Sequence, residues 1–262
     1  MKKYVYLFTQ NQTDGSASMT NLLGGKGANL AEMTNLSIPV PPGFTISTEV
    51  CAYYMKHKKY PRGLKKQVET AIATLEKLMG KNFGDSSNPL LLSVRSGARQ
   101  SMPGMMETVL NIGLNNDTAH GLIKKTQNPK FVYDCLRRLM MMYSDVVMEK
   151  SNNQYSNPGI RISLENLLEK IKQQNNCKND SDLNTDALEK LCNLFKRQIH
   201  STFKRHFPDD PKKQLWGAID AVFKSWNGKR AIDYRKIEKI PDSWGTAVNV
   251  QCMVFGNMGK ES

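Results

Sequence analysis

Short apolar or alternating runs punctuate the first hundred residues. Tyr4 to Phe8, Phe44 to Ser47 behind the Pro41-Pro42-Gly43 turn, and Leu90 to Val94 behind Asn88-Pro89 have the length and bounding residues of β-strands. Between them Leu64, Val68, Ala71, Ile72, Leu75, Leu78 and Met79 recur at the spacing of one helix face, and Gly80 supplies a stop. Strands alternating with helices predict a mixed fold, α/β or α+β, for residues 1–115. From Asn116 the strand signals fade. Helical periodicity takes over in Phe131 to Val147, in Leu164, Leu167, Leu168 and Ile171, and in Leu188, Leu191, Leu194 and Phe195, so residues 116–197 read as an all-helical insert. Inside it, Lys172 to Asp186 has the Asn, Gln and Asp content of a mobile surface loop, and Thr185 stands where it would cap the next helix.

Residues 198–243 read as the second part of the α/β lobe. Leu215, Ile219, Val222, Phe223 and Trp226 mark an amphipathic helix that Asn227-Gly228 closes, and Ala231 to Tyr234 reads as a returning strand. After Pro241-Asp242 and Trp244-Gly245, Ala247 to Phe255 alternates, with Val248, Val250, Cys252 and Val254 on one face and Asn249, Gln251, Met253 and Phe255 on the other. A strand needs partners, and only seven residues follow Phe255. Residues 244–262 are therefore expected to begin a second, truncated lobe, with an unpaired strand edge open to self-association.

Composition narrows the class. Hydrophobic residues make up 39% of the 262, enough for a packed core, yet runs such as Leu139 to Met142 are too short to cross a bilayer. No signal-like apolar core follows Lys2-Lys3, so a cytoplasmic protein without a membrane partner is expected. Five cysteines without a C-x-x-C pair suggest neither a disulfide framework nor a zinc ribbon, and no metal site is expected. The net charge of +13 draws polyanions, nucleotides and nucleic acids alike. The positive residues are scattered and build no long basic run with interleaved aromatics, which disfavours nucleic acid.

Two stretches carry chemistry. Gly24-Gly25-Lys26-Gly27 places a lysine among glycines just before a helical run, where bare backbone can approach a phosphate and Lys26 adds a point charge. It is not a Walker A loop, because Lys26 is followed by Gly. A tight turn with a solvated lysine explains the same residues. Ser93-Val94-Arg95-Ser96-Gly97-Ala98-Arg99 then delivers two arginines four apart at a strand end, and arginine forks suit phosphate oxygens. Ser101-Met102-Pro103-Gly104-Met105-Met106-Glu107-Thr108 follows, read either as a lid over a base or phosphate chain or as a surface turn with packed methionines.

Taken together, Asn21 to Met33, Ser93 to Leu114, Tyr143 to Met148, Trp244 to Gln251 and Met253 to Asn257 resemble the amino-terminal nucleotide-binding domain of the pyruvate, phosphate dikinase family. The likeness is colinear over essentially the whole chain. It implies an ATP-grasp-like lobe with an inserted helical subdomain, in which Lys26 and Arg95 bind nucleotide phosphates and Arg99 is a further candidate. It also implies that Gly104 and Met105 lie in a loop closing over the phosphates, and that Gln251 and Met253 lie near the adenine. The family reaction converts ATP, phosphate and pyruvate to AMP, pyrophosphate and phosphoenolpyruvate. Mg²⁺ accompanies the ATP, and its ligands, like the pyruvate site and the phosphocarrier histidine, are expected outside these 262 residues, so the chain by itself is expected not to turn over. None of His57, His120, His200 and His206 has the phosphocarrier's surroundings. The alternatives are a phosphoenolpyruvate synthase-type ATP-binding domain, a non-catalytic nucleotide- or partner-binding relic, and a general polyanion binder.

Overall fold

The computed structural model describes residues 2–256. In chain order β1 (Val5–Thr9) and β2 (Gln12–Thr13) form a hairpin, and α1 (Thr20–Asn35) leads to β3 (Gly43–Ile46). Next come α2 (Thr48–His57) and α3 (Leu64–Met79). As the periodicity predicts, α3 buries Leu64, Val68, Ala71 and Leu75 and stops at Gly80, whose φ of 59° suits glycine. After β4 (Leu92–Ala98) and β5 (Thr108–Ile112) the chain turns helical, with α4 (Asn116–Thr126) and α5 (Pro129–Tyr143), the latter running into a π-helical turn over Ser144–Glu149. Then follow α6 (Ile160–Gln174), α7 (Thr185–Phe203), α8 (Pro211–Ser225), α9 (Lys229–Ile237) and β6 (Thr246–Cys252). None of the helices described is long and apolar enough to cross a membrane.

Two compact units emerge. The first contains the described residues up to Lys81, Leu92–Thr108 and Ile219–Val254. Its strands run in the order β2-β1-β3-β6-β4, with every neighbouring pair antiparallel. Phe44, Ile46, Leu92, Val94, Val248 and Val250 are each fully buried and share one face by register. Thr45, Asn249 and Arg95, which pair across the same three strands, lie on the opposite face.

The alternation read in Ala247 to Phe255 holds from Ala247 to Cys252, but the expected free edge does not exist. β6 is paired on one side with β3 (Thr45↔Asn249) and on the other with β4 (Arg95↔Asn249), and all seven of its residues are buried. Its partners lie far upstream in the chain and leave no mark on the residues around β6. The strand expected at Ala231 to Tyr234 is also corrected. These residues belong to α9, which buries Ala231 and Arg235 at a helical i, i+4 spacing.

The second unit contains 82–91, 109–218 and the described residues from Phe255. Its centre is the packing of α5 and α6 on α7, with α4 against α5. Leu136, Leu139, Met140, Leu164, Leu188, Leu191 and Phe195 are buried there. Caps set the helix starts. Asn115 Oδ1 accepts from Thr118 N at 2.8 Å, and Asn128 Oδ1 accepts from Phe131 N at 3.1 Å ahead of Pro129. The cap of α7 is Asn184 rather than Thr185, its Oδ1 accepting from Ala187 N at 2.9 Å. Within the polar stretch after α6, Asp180 is held at 3.0 Å by buried Arg137. Tyr143 to Met148 also lie in this unit, where Asp145 pairs with Lys150 at 2.7 Å.

Candidate functional site

The first unit's chemistry begins with a break in α1. Gly24 sits inside the helix with φ 68° and ψ 166°, a conformation open essentially to glycine alone, so the helix restarts at Gly25. Lys26 is therefore inside α1 rather than ahead of it. Close approach requires the same glycines. A Cβ on Gly24 would lie 1.7 Å from the Gly97 carbonyl oxygen, and one on Gly27 would lie 2.8 Å from Thr45 Oγ1 and 2.9 Å from Asn249 Oδ1. Bare backbone lets the restarted helix rest directly on β4 and on the polar face of the sheet.

This contact fixes Lys26. Its Nζ donates to the Ser96 carbonyl oxygen at 3.0 Å. The residue as a whole stays exposed, but protein crowds its ammonium. Desolvation, and after it the Arg95 guanidinium, hold the Lys26 pKa below the usual lysine value. Among the described residues no carboxylate contributes to the surroundings of Lys26. Arg95, half-buried on β4, lies beside Asn249 by register.

Arg99 follows the end of β4. Its guanidinium lies 5.2 Å from the centre of the Trp244 ring, and its Nε is buried with no hydrogen-bond partner. Beyond it Met102–Met105 forms a type II turn: Met105 N donates to Met102 O at 3.2 Å, Pro103 holds the second position, and Gly104 takes a φ of 72° at the third. Met102 is buried and anchors the turn, whereas Pro103 and Gly104 are exposed.

Between α1 and this turn lies a cleft of about 570 Å³, lined in part by Lys26, Asn29, Ser96, Gly97, Ser101 and Gly104. No acidic side chain is among its lining residues, and its volume falls in the range of small-ligand sites. Of the residues expected from sequence, Lys26 and Gly104 line it directly. Arg95, Arg99 and Met105 each adjoin a lining residue in the chain without lining the cleft themselves. Gln251 and Met253 are not brought to it. Gln251 Nε2 donates to Pro41 O at 2.9 Å, and Gln251 pairs with Ser93, two residues along β4 from Arg95, which is about 7 Å at strand rise. Met253 lies just past the end of β6, and none of the four histidines lines the cleft. Asn257, the last residue of the resembling segments, lies outside the described residues.

Two residues of this region do not stand out in the sequence. Thr45 Oγ1 donates to Asn249 Oδ1 at 2.8 Å, and Asn249 Nδ2 is buried without a partner beside Gly97. The signal is present in the polar face of the alternating strand, yet nothing local ties Asn249 to Gly27.

An exposed lysine and a partly buried arginine, beside a glycine-pressed helix start and a Pro-Gly turn, are residue types whose chemistry suits an anion. A family model described as "Pyruvate phosphate dikinase, AMP/ATP-binding domain" matches residues 20–61 and 59–260, and the chain belongs to this family. Among curated proteins it is 50% identical over 264 residues to pyruvate, phosphate dikinase of Clostridium symbiosum, covering all of this chain and 29% of that protein. Its identity to pyruvate, phosphate dikinase of Rhizobium meliloti is 48% over 263 residues, 28% of that protein. With the chloroplastic pyruvate, phosphate dikinase of Mesembryanthemum crystallinum it shares 47% over 261 residues, 26% of that protein. The chain thus spans less than a third of the length of these relatives.

Proposed function

We propose that the cleft between α1 and the Met102–Met105 turn receives the phosphate chain of ATP, and that this domain serves the dikinase reaction, from ATP, phosphate and pyruvate to AMP, pyrophosphate and phosphoenolpyruvate. The reading is carried by Lys26, whose ammonium is crowded by protein and by the Arg95 guanidinium with no carboxylate among the described residues acting against it. Phosphoryl transfer asks mainly for positioning and for neutralisation of charge. Lys26 and Arg95 would supply the charge, Arg99 a third cation, and the open backbone at Gly104 would close over the phosphates with Met105 beside it. Gln251 and Met253, further along the sheet, would meet the adenine. In this proposal the first unit is an ATP-grasp lobe, the helical unit is its insert, and the setting is cytoplasmic.

Mg²⁺ would arrive with the nucleotide. No carboxylate lines the cleft, and among the described residues no group of three or more His, Cys, Asp or Glu side chains could hold a metal ion. These residues do not form a magnesium site of their own, and no step runs through the ion on this chain. Binding is what the 262 residues are proposed to do.

Calorimetric titration with ATP tests the reading. Loss of one charged contact from a desolvated site costs about 2–5 kcal/mol, so Arg95→Ala should weaken ATP by at least about 30-fold. Tight binding that Arg95→Ala leaves unchanged would place the nucleotide elsewhere. The +13 charge favours a second reading, a general polyanion binder, which would lose affinity steeply with salt and take single-stranded DNA as readily as ATP.

A further inference from the structure

Arg99 is held in an unusual way. Its Nε is buried without an acceptor, no carboxylate is placed against it among the described residues, and its guanidinium instead faces the Trp244 ring at 5.2 Å. A guanidinium over an indole is attracted by the ring's negative face, and stacking leaves the N–H groups at the rim available to another acceptor. Trp244 is itself well anchored. Its backbone N–H donates to Pro241 O at 3.2 Å, and the neighbouring Asp242 is gripped twice: Arg235 Nε donates to its carboxylate at 2.8 Å, and Trp226 Nε1 donates to its carbonyl oxygen at 2.9 Å. Arg235 is 1% exposed and packs over the Trp226 ring at 4.2 Å. The loop that presents Trp244 is thus fastened to the core of the first unit. At its other end Arg99 adjoins the glycine turn, since a Cβ on Gly25 would come within 3.4 Å of the Arg99 carbonyl oxygen.

We infer that Trp244 is a positioning residue, an aromatic platform that holds the Arg99 guanidinium beside the Gly24–Lys26 turn so that its free N–H groups meet a phosphate of the bound nucleotide. The inference rests on the proposed ATP site and deepens it. A planar cation is required, because an ammonium cannot stack on the ring and present a fork at once. The ring would supply no bond to the ligand; it would restrict the arginine's rotamers and so lower the cost of ordering them on binding.

The test is ATP binding by calorimetry to the full chain and to Arg95→Ala, Arg99→Ala, Arg99→Lys, Trp244→Phe, Trp244→Leu and the Trp244→Leu/Arg99→Ala pair, each with its thermal midpoint. Trp244→Leu is expected to weaken ATP about 3- to 10-fold, the range of a partly desolvated cation–π contact. Trp244→Phe, which keeps a ring, should stay within about 2-fold of wild type, and Arg99→Lys, which keeps the charge and loses the stack, should bind as weakly as Trp244→Leu. The double variant should bind no more weakly than Arg99→Ala alone, because the ring acts only through the arginine. If Trp244→Leu does not fold, Arg99→Lys and Trp244→Phe still decide. Wild-type affinity in Trp244→Leu or Arg99→Lys, or additive losses in the double variant, would overturn the inference. If Arg95→Ala loses ATP while these variants do not, the site stands and only the platform falls. If the wild-type chain binds no ATP, both fall.

Discussion

Replacing Gly24 by alanine tests how tightly the fold ties Lys26, the lysine proposed to meet phosphate, to the sheet. Two costs add. A non-glycine residue at φ 68° and ψ 166° is strained by about 1–3 kcal/mol. The new Cβ would also lie 1.7 Å from Gly97 O, a backbone atom that moves only if α1 and β4 separate, and overpacking of this kind costs about 1–3 kcal/mol. The sum, about 2–6 kcal/mol, is a large part of the 5–15 kcal/mol that typically separates folded from unfolded chains. Gly80→Ala is the control. There φ is 59° but no atom lies within 4 Å of where the new methyl would stand, so only the left-handed strain of about 1–2 kcal/mol applies. Urea unfolding, with the slope checked for constancy, should give a lower midpoint for Gly24→Ala than for Gly80→Ala. ATP titration should show lost affinity only in the former, because separating α1 from β4 carries Lys26 off Ser96 O. Equal midpoints would refute the steric argument, and a destabilised Gly24→Ala that binds ATP normally would refute the link to Lys26.

The depressed Lys26 pKa gives a second prediction. The folded value lies below the ordinary 10.5, so between the two the unfolded chain binds more protons and stability rises with pH across that window. A bound phosphate favours the charged lysine, so ATP binding just below pH 10.5 should take up protons, seen as a dependence of the binding enthalpy on the buffer's ionisation enthalpy; a buffer-independent enthalpy there would contradict it. The cysteines give a third. Burial pushes Cys51, Cys135, Cys192 and Cys252 up to about 12, whereas Cys177 is partly exposed in the polar stretch after α6. One thiol should react with an aromatic disulfide in the native chain and five after denaturation; several fast native thiols would show that the cores open readily.

Much of the local structure is legible in the sequence because its causes are local. The face of α3 follows from Leu64, Val68, Ala71 and Leu75 at helical spacing, and Gly80 stops the helix where a left-handed residue is needed. The alternation of β6 is visible as far as Cys252, and Lys26 and Arg95 stand out as candidates for phosphate contact before any strand is paired. The misreadings also have local causes. Ala231 to Tyr234 are apolar and aromatic enough for a strand, but the tertiary fold buries Ala231 and Arg235 on one helical face. Thr185 and Asn184 are both capable caps, and the geometry of the first turn of α7 selects Asn184.

What the sequence determined by itself, then, was most of the helical and extended segments and which residue types can meet a phosphate, because backbone propensity, side-chain periodicity and charge act over a few neighbours. Tertiary structure alone decided that β6 lies between β3 and β4 instead of opening a new sheet, because strand pairing joins residues some 150 and 200 positions apart and leaves no mark near either. The same pairing set Asn249 between Thr45 and Arg95, laid Gly27 against Thr45 and Asn249, and left Gln251 and Met253 outside the cleft. It also gave the glycines around Lys26 their purpose: their sequence allowed a turn, but only the Gly97 carbonyl, 1.7 Å from where a side chain would begin, made glycine at position 24 a requirement.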